Sequence, residues 1–551
     1  MTTFVFVLCS VLLISINTQH SVEAANPCQS RRFQHDSVVC VCTESYCDTL
    51  DPITPTKCGI LHVYESDRAG KRLERRDVQF GNDLTGVSFR NVTINRNLKY
   101  QEIIGFGGSW SDAAAIGLNR LSSNLRTKVL HSYFSDEGIE YSTARVVISG
   151  CDFSNRPYTY DDVADDWELN NWALVEEDLQ MKFPQMKEAL QHADKSIKFI
   201  GSSWSPPAWM KTNGKLNNGG QLISEAGSYQ WKQYAKYLLK FFESYKANGL
   251  PFWGMTIQNE PMTGWDASFP WNTCGFNAEM ERDFAKLDLG PIFEAAGFPP
   301  ESFHILALDH NRPLAKDWAD VVFNDTVASR YLAGLALHWY FYGTAGPYSV
   351  YDDIHDKFAD KILLATEACN RNDDDNDPIG LGLWVLAEDY AHDILLNLLH
   401  RVQGWIDWNL VLDMEGGPNW VGNTHSAPII VNPEAGEFYK NTQYYSMAHF
   451  SKFLPPGTVR IGGMVEEEGK LELGVFERPD GGTVVIVINT YDQEQYFNLN
   501  DPDVGDVRVK VEPHSFNSMV YYGEECVSGS AKVFHPIMIM ILILPALLSL
   551  V

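Results

Sequence analysis

Between about residue 102 and residue 410, short apolar or β-branched runs alternate with longer amphipathic segments. The runs cover 102–107, 144–149, 197–202, 252–257, 303–308, 335–338, 362–366 and 404–408, each ending in polar or aromatic residues. The clearest helix between them is 229–247, where Trp231, Tyr234, Tyr237, Leu238 and Phe241 recur at helical spacing. Strand–helix alternation predicts parallel strands joined by helical crossovers. Eight such units predict an α/β fold, a (β/α)8 TIM barrel whose sites lie at the C-terminal ends of its strands. A doubly wound open sheet is the structural alternative, and no GxGxxG or P-loop supports a nucleotide-binding version of it.

The flanks carry a different pattern. Segments 61–65, 86–94, 470–476, 483–489, 507–511 and 518–522 are strand-like and broken by Gly, Pro and Asp, with a turn signal at Pro479-Asp480-Gly481-Gly482. They come from both ends of the chain, so a β-sandwich domain built from N- and C-terminal segments is the simplest way to bury them. The extreme ends read as processed. The apolar run 4–16 is too short to span a bilayer and precedes the small-x-small triplet Val22-Glu23-Ala24, the order of a signal peptide. At the other end an apolar run, 537–551, follows Ser528, Gly529, Ser530 and Ala531 and a short polar spacer, the order of a GPI-anchor signal. A retained membrane anchor or a frayed apolar tail are the alternatives. The expected organisation is a signal peptide over 1–24, a disulfide-bearing N-terminal part of the sandwich over 25–98, the catalytic barrel over 99–440, the C-terminal sandwich over 441–527 and the apolar tail over 528–551.

Composition narrows the partners. The net charge of −28 makes nucleic acid a poor one. It also repels anionic membranes at neutral pH, and this weakens in an acidic compartment as carboxylates approach their pKa. Secretion changes how the cysteines read. Cys28, Cys40, Cys42 and Cys47 crowd the mature N-terminus, as a disulfide framework does in an oxidising compartment. A zinc site is the weaker alternative, because the spacing lacks two CxxC pairs. Asn91-Val92-Thr93 and Asn324-Asp325-Thr326 are N-glycosylation acceptors. Lys71-Arg72-Leu73-Glu74-Arg75-Arg76 is a small basic patch, read as solvated.

Two strand ends carry candidate chemistry. Thr256-Ile257-Gln258-Asn259-Glu260-Pro261 closes the fourth run and Ala365-Thr366-Glu367-Ala368-Cys369 the seventh. A closed barrel brings carboxylates at such positions together in its mouth. Glycoside hydrolysis needs two: one protonates the leaving oxygen, and in a retaining enzyme the other attacks the anomeric carbon from about 5–5.5 Å away. The acid needs a raised pKa, which a negative neighbour helps to supply.

These motifs resemble glycoside hydrolase clan A, and more closely its family thirty. The resemblance spans nearly the whole mature chain. Its landmarks are Ser37-Val38-Val39-Cys40-Val41-Cys42, Gly105-Phe106-Gly107-Gly108, Cys151-Asp152-Phe153-Ser154, Lys211-Thr212-Asn213-Gly214, Trp408-Asn409-Leu410 and Glu415-Gly416-Gly417-Pro418-Asn419-Trp420-Val421. It implies a retaining β-glucosidase that hydrolyses glucosylceramide to glucose and ceramide by double displacement, with Glu260 as acid/base and Glu367 as nucleophile. It places Asn259 near the glucose 2-hydroxyl and Asp152, Trp204, Trp408 and Asn419 around the other hydroxyls. Arg145 and Tyr340 would hold and ionise Glu367, with His338 on the same strand end as Tyr340. It pairs Cys28 with Cys40 and Cys42 with Cys47, and matches Cys151, Cys274 and Cys369 to free thiols. Cys369, close to Glu367 but with no His–Cys arrangement, reads as an inert small side chain.

The chain departs from the family by adding Cys58 and Cys526, expected to pair with each other, and the C-terminal apolar tail. Its acidic loop Asp373-Asp374-Asp375-Asn376-Asp377 reads as solvated. The implied partners are a glycolipid substrate at a membrane surface and a lipid-presenting activator protein. The reaction calls for no cofactor and no metal, and the implied location is the lysosome, with the extracellular surface through a GPI anchor as the alternative. Two other readings stay open: a β-glycosidase for other glucosides or oligosaccharides, and a non-catalytic carbohydrate- or lipid-binding protein. Loss of either glutamate would mark the last, and both are present.

Overall fold

Each of the eight runs supplies one strand of a closed parallel barrel: Gly105–Trp110 (β1), Thr143–Ile148 (β2), Lys198–Ser203 (β3), Gly254–Thr256 (β4), His304–Asn311 (β5), Leu332–His338 (β6), Ile362–Glu367 (β7) and Gly404–Asn409 (β8). The computed structural model describes residues 25–340, 346–465 and 471–523. Neighbouring strands pair in parallel around the whole ring, with β8 returning to β1. Ile200, Leu306, Ala336, Leu364 and Ile406, from five strands, meet as one buried apolar cluster that plugs the barrel. The ring closes tightly between β4 and β5, where a Cβ on Gly254 would fall 2.2 Å from the His304 carbonyl oxygen. These two strands lead directly to Glu260 and Asp309.

The helix expected over 229–247 runs over Tyr229–Ala247, and Ser228 caps it by accepting from the Trp231 amide at 3.4 Å. Trp231, Tyr234, Tyr237, Phe241 and Tyr245 form its buried face. Aromatic burial of this kind stabilises by about 1.5–3 kcal/mol per side chain, so the ladder clamps the helix to the barrel.

Strands from both ends of the chain form the second domain. Its sheet runs in the order 505–511, 495–501, 90–102, 459–465, 472–477, 483–489, 515–521, 60–67, 74–79. The sheet rolls into a sandwich, and its two edges meet where the Gly81 amide donates to the Asp506 carbonyl at 2.7 Å and Arg76 to the Lys510 carbonyl at 2.6 Å. Val507, Val509 and Val511 alternate inward, as half-buried strands do. His449 pins barrel to sandwich, its two ring nitrogens 2.9 Å from Ser66 and Ser518.

Two expectations change. Residues 25–50 do not join the sandwich: Ser30–Arg31 and Val39–Thr43 extend a separate five-stranded sheet with Val411–Asp413, Ile429–Asn432 and Glu437–Lys440. The reason is apolar matching, because Val39 and Val41 point to one face and pack with Leu412, Ile430 and Tyr439 beside the barrel mouth. The disulfides Cys28–Cys40 and Cys42–Cys47 brace this segment. Nor is the basic patch simply solvated. Arg72 is buried beneath Trp384 and Tyr445 and donates to the Val38 carbonyl at 2.6 Å, while Glu74–Gln79 is an edge strand. Cys58 is disulfide-bonded, and its expected partner Cys526 lies outside the described residues, as do the signal-peptide and tail segments. Among the described residues no helix is long and apolar enough to cross a membrane. Asn324 is exposed at the end of helix Ala315–Phe323, and Asn91 is half-buried in a sandwich strand.

Candidate active site

A cavity of about 350 Å³ opens at the C-terminal ends of the strands, and Glu260 and Glu367 both line it. One oxygen of each carboxyl and a ring nitrogen of His338 all lie within 4.8 Å of one another. Glu260 leaves β4 in the left-handed region, at φ 42° and ψ 59°. That conformation costs a non-glycine residue about 1–2 kcal/mol. Two local features hold it there: Pro261 disfavours the right-handed alternative for the residue before it, and the Glu260 amide donates to the Asp309 carbonyl at 3.0 Å.

Glu367 ends β7, and donors engage both of its oxygens. Tyr340 donates to Oε1 at 2.8 Å, and Arg145 makes a close ion pair with Oε2. Arg145, from β2, is fully buried. It also donates to Ser202 at 2.9 Å, to the Asn259 side-chain Oδ1 at 2.7 Å and to Asp309 at 2.6 Å. Its guanidinium lies 4.8 Å from the Trp204 ring centroid and 5.5 Å from that of Trp408. Burial lowers its proton affinity, but the charges of Asp309 and Glu367 more than compensate, and it stays a cation.

The Glu260 side chain is held at one oxygen. Its Oε1 faces His338 Nδ1 at 3.1 Å, and Oε2 has no hydrogen bond among the described residues. The other ring nitrogen of His338 faces Asp309 Oδ1 at 3.0 Å. Burial alone would discharge His338, yet Glu367 and Asp309 push it up to about 9. Burial likewise pushes Glu260 up, but the His338 hydrogen bond and the charge of His338, with that of His310 when it is protonated, hold it below its ordinary range. The raised acid expected from sequence is therefore absent from this arrangement of charges, because the His338 imidazolium lies beside both glutamates and offsets the effect of the Glu367 carboxylate on Glu260. The cluster is also unlike a metal cradle: His338 spends both nitrogens on carboxylates, and both Glu367 oxygens already face donors.

Asp152, Trp204, Asn259, Tyr340 and Trp408 line the cavity, and Arg145 and His338 stand buried behind it. Trp204 and Trp408 stack at 5.1 Å. Burial pushes the Asp152 carboxyl up to about 7. Cys369 also lines the cavity, and burial raises its thiol well above the ordinary range, consistent with an inert side chain. Asn419 does not reach the cavity. Its amide turns inward on its own loop, donating to the Asn423 carbonyl at 3.1 Å and accepting from the amides of Val421 and Asn423. Asn423 takes the cavity position instead and donates to Asp152 at 2.9 Å. Asp309, at the end of β5, was not singled out in the sequence. Its buried carboxylate accepts from Arg145, Thr256, Thr366 and His338 and is held far below its usual range, chiefly by Arg145 against the cost of burial. The only sequence signal for it was an acidic residue at a strand end. His310 and Asn311, next in the chain, also line the cavity.

Comparison with known proteins agrees with this architecture. Residues 103–454 match the glycosyl hydrolase family 30 TIM-barrel domain and residues 457–519 the family 30 beta sandwich domain. The chain is 40% identical over 481 residues to lysosomal acid glucosylceramidase of Mus musculus, covering 87% of this chain and 93% of the relative. It is 38% identical over 488 residues to putative glucosylceramidase 3 of Caenorhabditis elegans, covering 88% and 92%. Among solved structures, SrfJ from Salmonella typhimurium superposes with a TM-score of 0.77 at 28% identity, covering 84% of this chain and all of that one. With two domain matches in tandem over a barrel that carries paired carboxylates in its mouth, this chain belongs to glycosyl hydrolase family 30 and is a glycoside hydrolase.

Proposed function

We propose that the chain is a retaining β-glucosidase that hydrolyses glucosylceramide to glucose and ceramide. The observation that carries the mechanism is the approach of Glu260 and Glu367 to within 4.8 Å at single oxygens. Carboxyls about 5–5.5 Å apart suit direct attack by one of them, whereas inversion needs a gap wide enough for water. The aglycone follows from the names of the mouse and nematode relatives and from the aromatic side chains of Phe269, Trp271 and Tyr340 around the cavity.

In this reading Glu260 protonates the glycosidic oxygen through Oε2, the oxygen free of protein hydrogen bonds. Glu367 attacks the anomeric carbon, the bond to the ceramide oxygen breaks, and a glucosyl ester forms on Glu367. Glu260, now a carboxylate, takes a proton from water. The water attacks the same carbon from the face the ceramide left, releasing glucose and freeing Glu367. Arg145 and Tyr340 hold the nucleophile on its trajectory. Asp152 and Asn423 receive sugar hydroxyls, Asn259 meets the 2-hydroxyl, and Trp204 and Trp408 supply apolar faces. Neither cofactor nor metal takes part. The substrate lies at a membrane surface, presented with the help of an activator protein. The lysosome is the proposed location on the strength of the mouse relative, and a lipid-anchored extracellular form is the alternative.

The test is glucose release from glucosylceramide in detergent–anionic lipid micelles at mildly acidic pH, with Glu367→Gln alongside. Release by the parent and its loss by orders of magnitude in the variant support substrate and nucleophile together. A parent that ignores glucosylceramide yet cleaves other β-glucosides keeps the mechanism and replaces the substrate.

A further inference from the structure

We propose that His310 is a positioning residue that acts through Glu260: with Asn311 it forms a second, titratable imidazole site that sets the pH up to which Glu260 holds its proton. The inference rests on the assignment of Glu260 as acid/base.

Two imidazoles face the same carboxyl oxygen, with His338 Nδ1 at 3.1 Å and His310 Nδ1 at 3.9 Å from Glu260 Oε1. What stands behind each ring differs. His338 is backed by Asp309, a carboxylate with four donors, and so stays a cation throughout the acidic range, with its pKa pushed up to about 9. His310 is backed by an amide: Asn311 Nδ2 lies 3.1 Å from its Nδ1. An amide N–H there donates, so Nδ1 holds a lone pair and the ring is neutral with its proton on Nε2. Burial favours the same neutral form.

Asn311 also carries a buried Oδ1 with no partner among the described residues. Buried acceptors are rarely left unpaired, and an orphan calls for an explanation. Rotation of the amide supplies one. When His310 takes a proton on Nδ1, the turned amide brings Oδ1 to that N–H, so one side chain serves both charge states. The protonated ring then stands 3.9 Å from Glu260 and lowers its affinity for the catalytic proton.

The other charged and titratable groups facing this pair are Asp309 from β5 itself, His338 and Tyr340 from the end of β6, Glu367 from β7 and Arg145 from β2. Glu281, on the helix packed behind β5, accepts from the Leu308 amide at 2.9 Å, and burial pushes it up to about 8, so it adds little charge in acid. Arg312 faces away, over the Tyr348 ring at 3.6 Å. Of the two imidazoles that face Glu260, His338 is backed by a carboxylate and His310 by an amide, among the described residues.

The test is the pH profile of kcat/KM on octyl β-glucoside, whose leaving group needs the proton, for the parent, His310→Gln and His310→Lys. Removing the titratable cation should move the alkaline limb up by about one pH unit, the low end of what a neighbouring charge exerts on a carboxyl. A permanent cation should move it down. If the Lys variant does not fold, the Gln variant alone decides. Limbs that stay with the parent, or move in one direction in both variants, overturn the proposal even if rates fall. Glu260→Gln is the control: if it hydrolyses octyl β-glucoside as the parent does, the acid/base assignment itself is wrong, an outcome separate from any behaviour of His310.

Discussion

Arg145 and Asp309 meet at 2.6 Å with neither side chain exposed, and between them they touch the supports of both glutamates. Arg145 holds Glu367 and Asn259, and Asp309 holds His338, which in turn holds Glu260. The pair thus ties together the ends of β2, β5, β6 and β7. A buried ion pair is costly to form, and removing one partner costs about 3–5 kcal/mol, because the remaining charge has no water to turn to.

Asp309→Asn keeps the shape and removes the charge. The expected loss in unfolding free energy is about 3 kcal/mol, at the low end of that range because Glu367 still compensates Arg145. His338, with its backing carboxylate gone, should also deprotonate at lower pH. Urea unfolding measures the first effect and the histidine ring resonances the second. An unchanged unfolding midpoint would show that the pair does not anchor the site.

Several buried groups bind protons more tightly in the fold than in an unfolded chain. Burial pushes Asp152 up to about 7 and both Glu281 and Asp407 up to about 8, while neighbouring carboxylates raise His338 to about 9 against the cost of burial. Groups raised by folding lend stability that is complete below their unfolded pKa, about 4 for the carboxyls and 6.5 for His338, and that is lost as pH rises through the folded values. Each group subtracts up to about 1.4 kcal/mol per pH unit while it titrates. Asp309 and Glu260, lowered in the fold, act oppositely only in stronger acid, and His449 and His425, pushed down by burial to about 3 and about 4, act oppositely below about pH 6.5, but the raised carboxyls titrate over more of the range between pH 5 and pH 8. Calorimetry should therefore give a higher Tm near pH 5 than at pH 8. Asp407→Asn, which mimics the neutral carboxyl that Tyr390 contacts at 2.6 Å, should flatten the decline. An equal slope in that variant would remove Asp407 from the account.

The eight barrel strands were legible because each is a short apolar run bounded by polar residues, and the glutamates because Asn259-Glu260-Pro261 and Thr366-Glu367 close two of those runs. Asp309 was not, since its importance comes from four donors on other strands, and only the closed ring brings them to it. Glu74–Gln79 was missed because an exposed edge strand carries charges where an inner strand shows alternation. Val39–Thr43 was assigned to the wrong sheet because its apolar face has the right period for either, and only the partner strand decides. The two asparagines of the 413–425 loop are alike in sequence. Which one faces the cavity depends on Asn419 closing the loop on itself.

That difference is measurable. Asn423→Ala removes the donor to Asp152 and the contact of Asn423 Oδ1 with His425, and leaves the three bonds that Asn419 makes to the loop backbone, so it should raise KM for β-glucosides several-fold with only a small change in Tm. This fits the roughly 0.5–1.5 kcal/mol of an ordinary hydrogen bond. Asn419→Ala breaks three bonds within the loop and should lower Tm and activity together. The opposite pattern would restore Asn419 as the cavity residue.

The proposed division of labour between the glutamates predicts how the chain behaves without Glu260. Glu260→Ala should lose about 10²–10⁴ in kcat/KM on glucosylceramide, whose alkoxide leaves poorly without a proton. It should lose far less on 2,4-dinitrophenyl β-glucoside, whose leaving group needs none. There the glucosyl ester on Glu367 accumulates, because the base that activates water is also missing. Azide needs no base, and the space left by the shortened side chain admits it beside the ester. It should accelerate turnover and give β-glucosyl azide, since two displacements at one carbon restore the starting configuration. α-Glucosyl azide would mean a single displacement and would remove Glu367 as nucleophile. No azide product at all, with the dinitrophenyl substrate as impaired as the lipid, would mean that Glu260 supports the site without exchanging a proton.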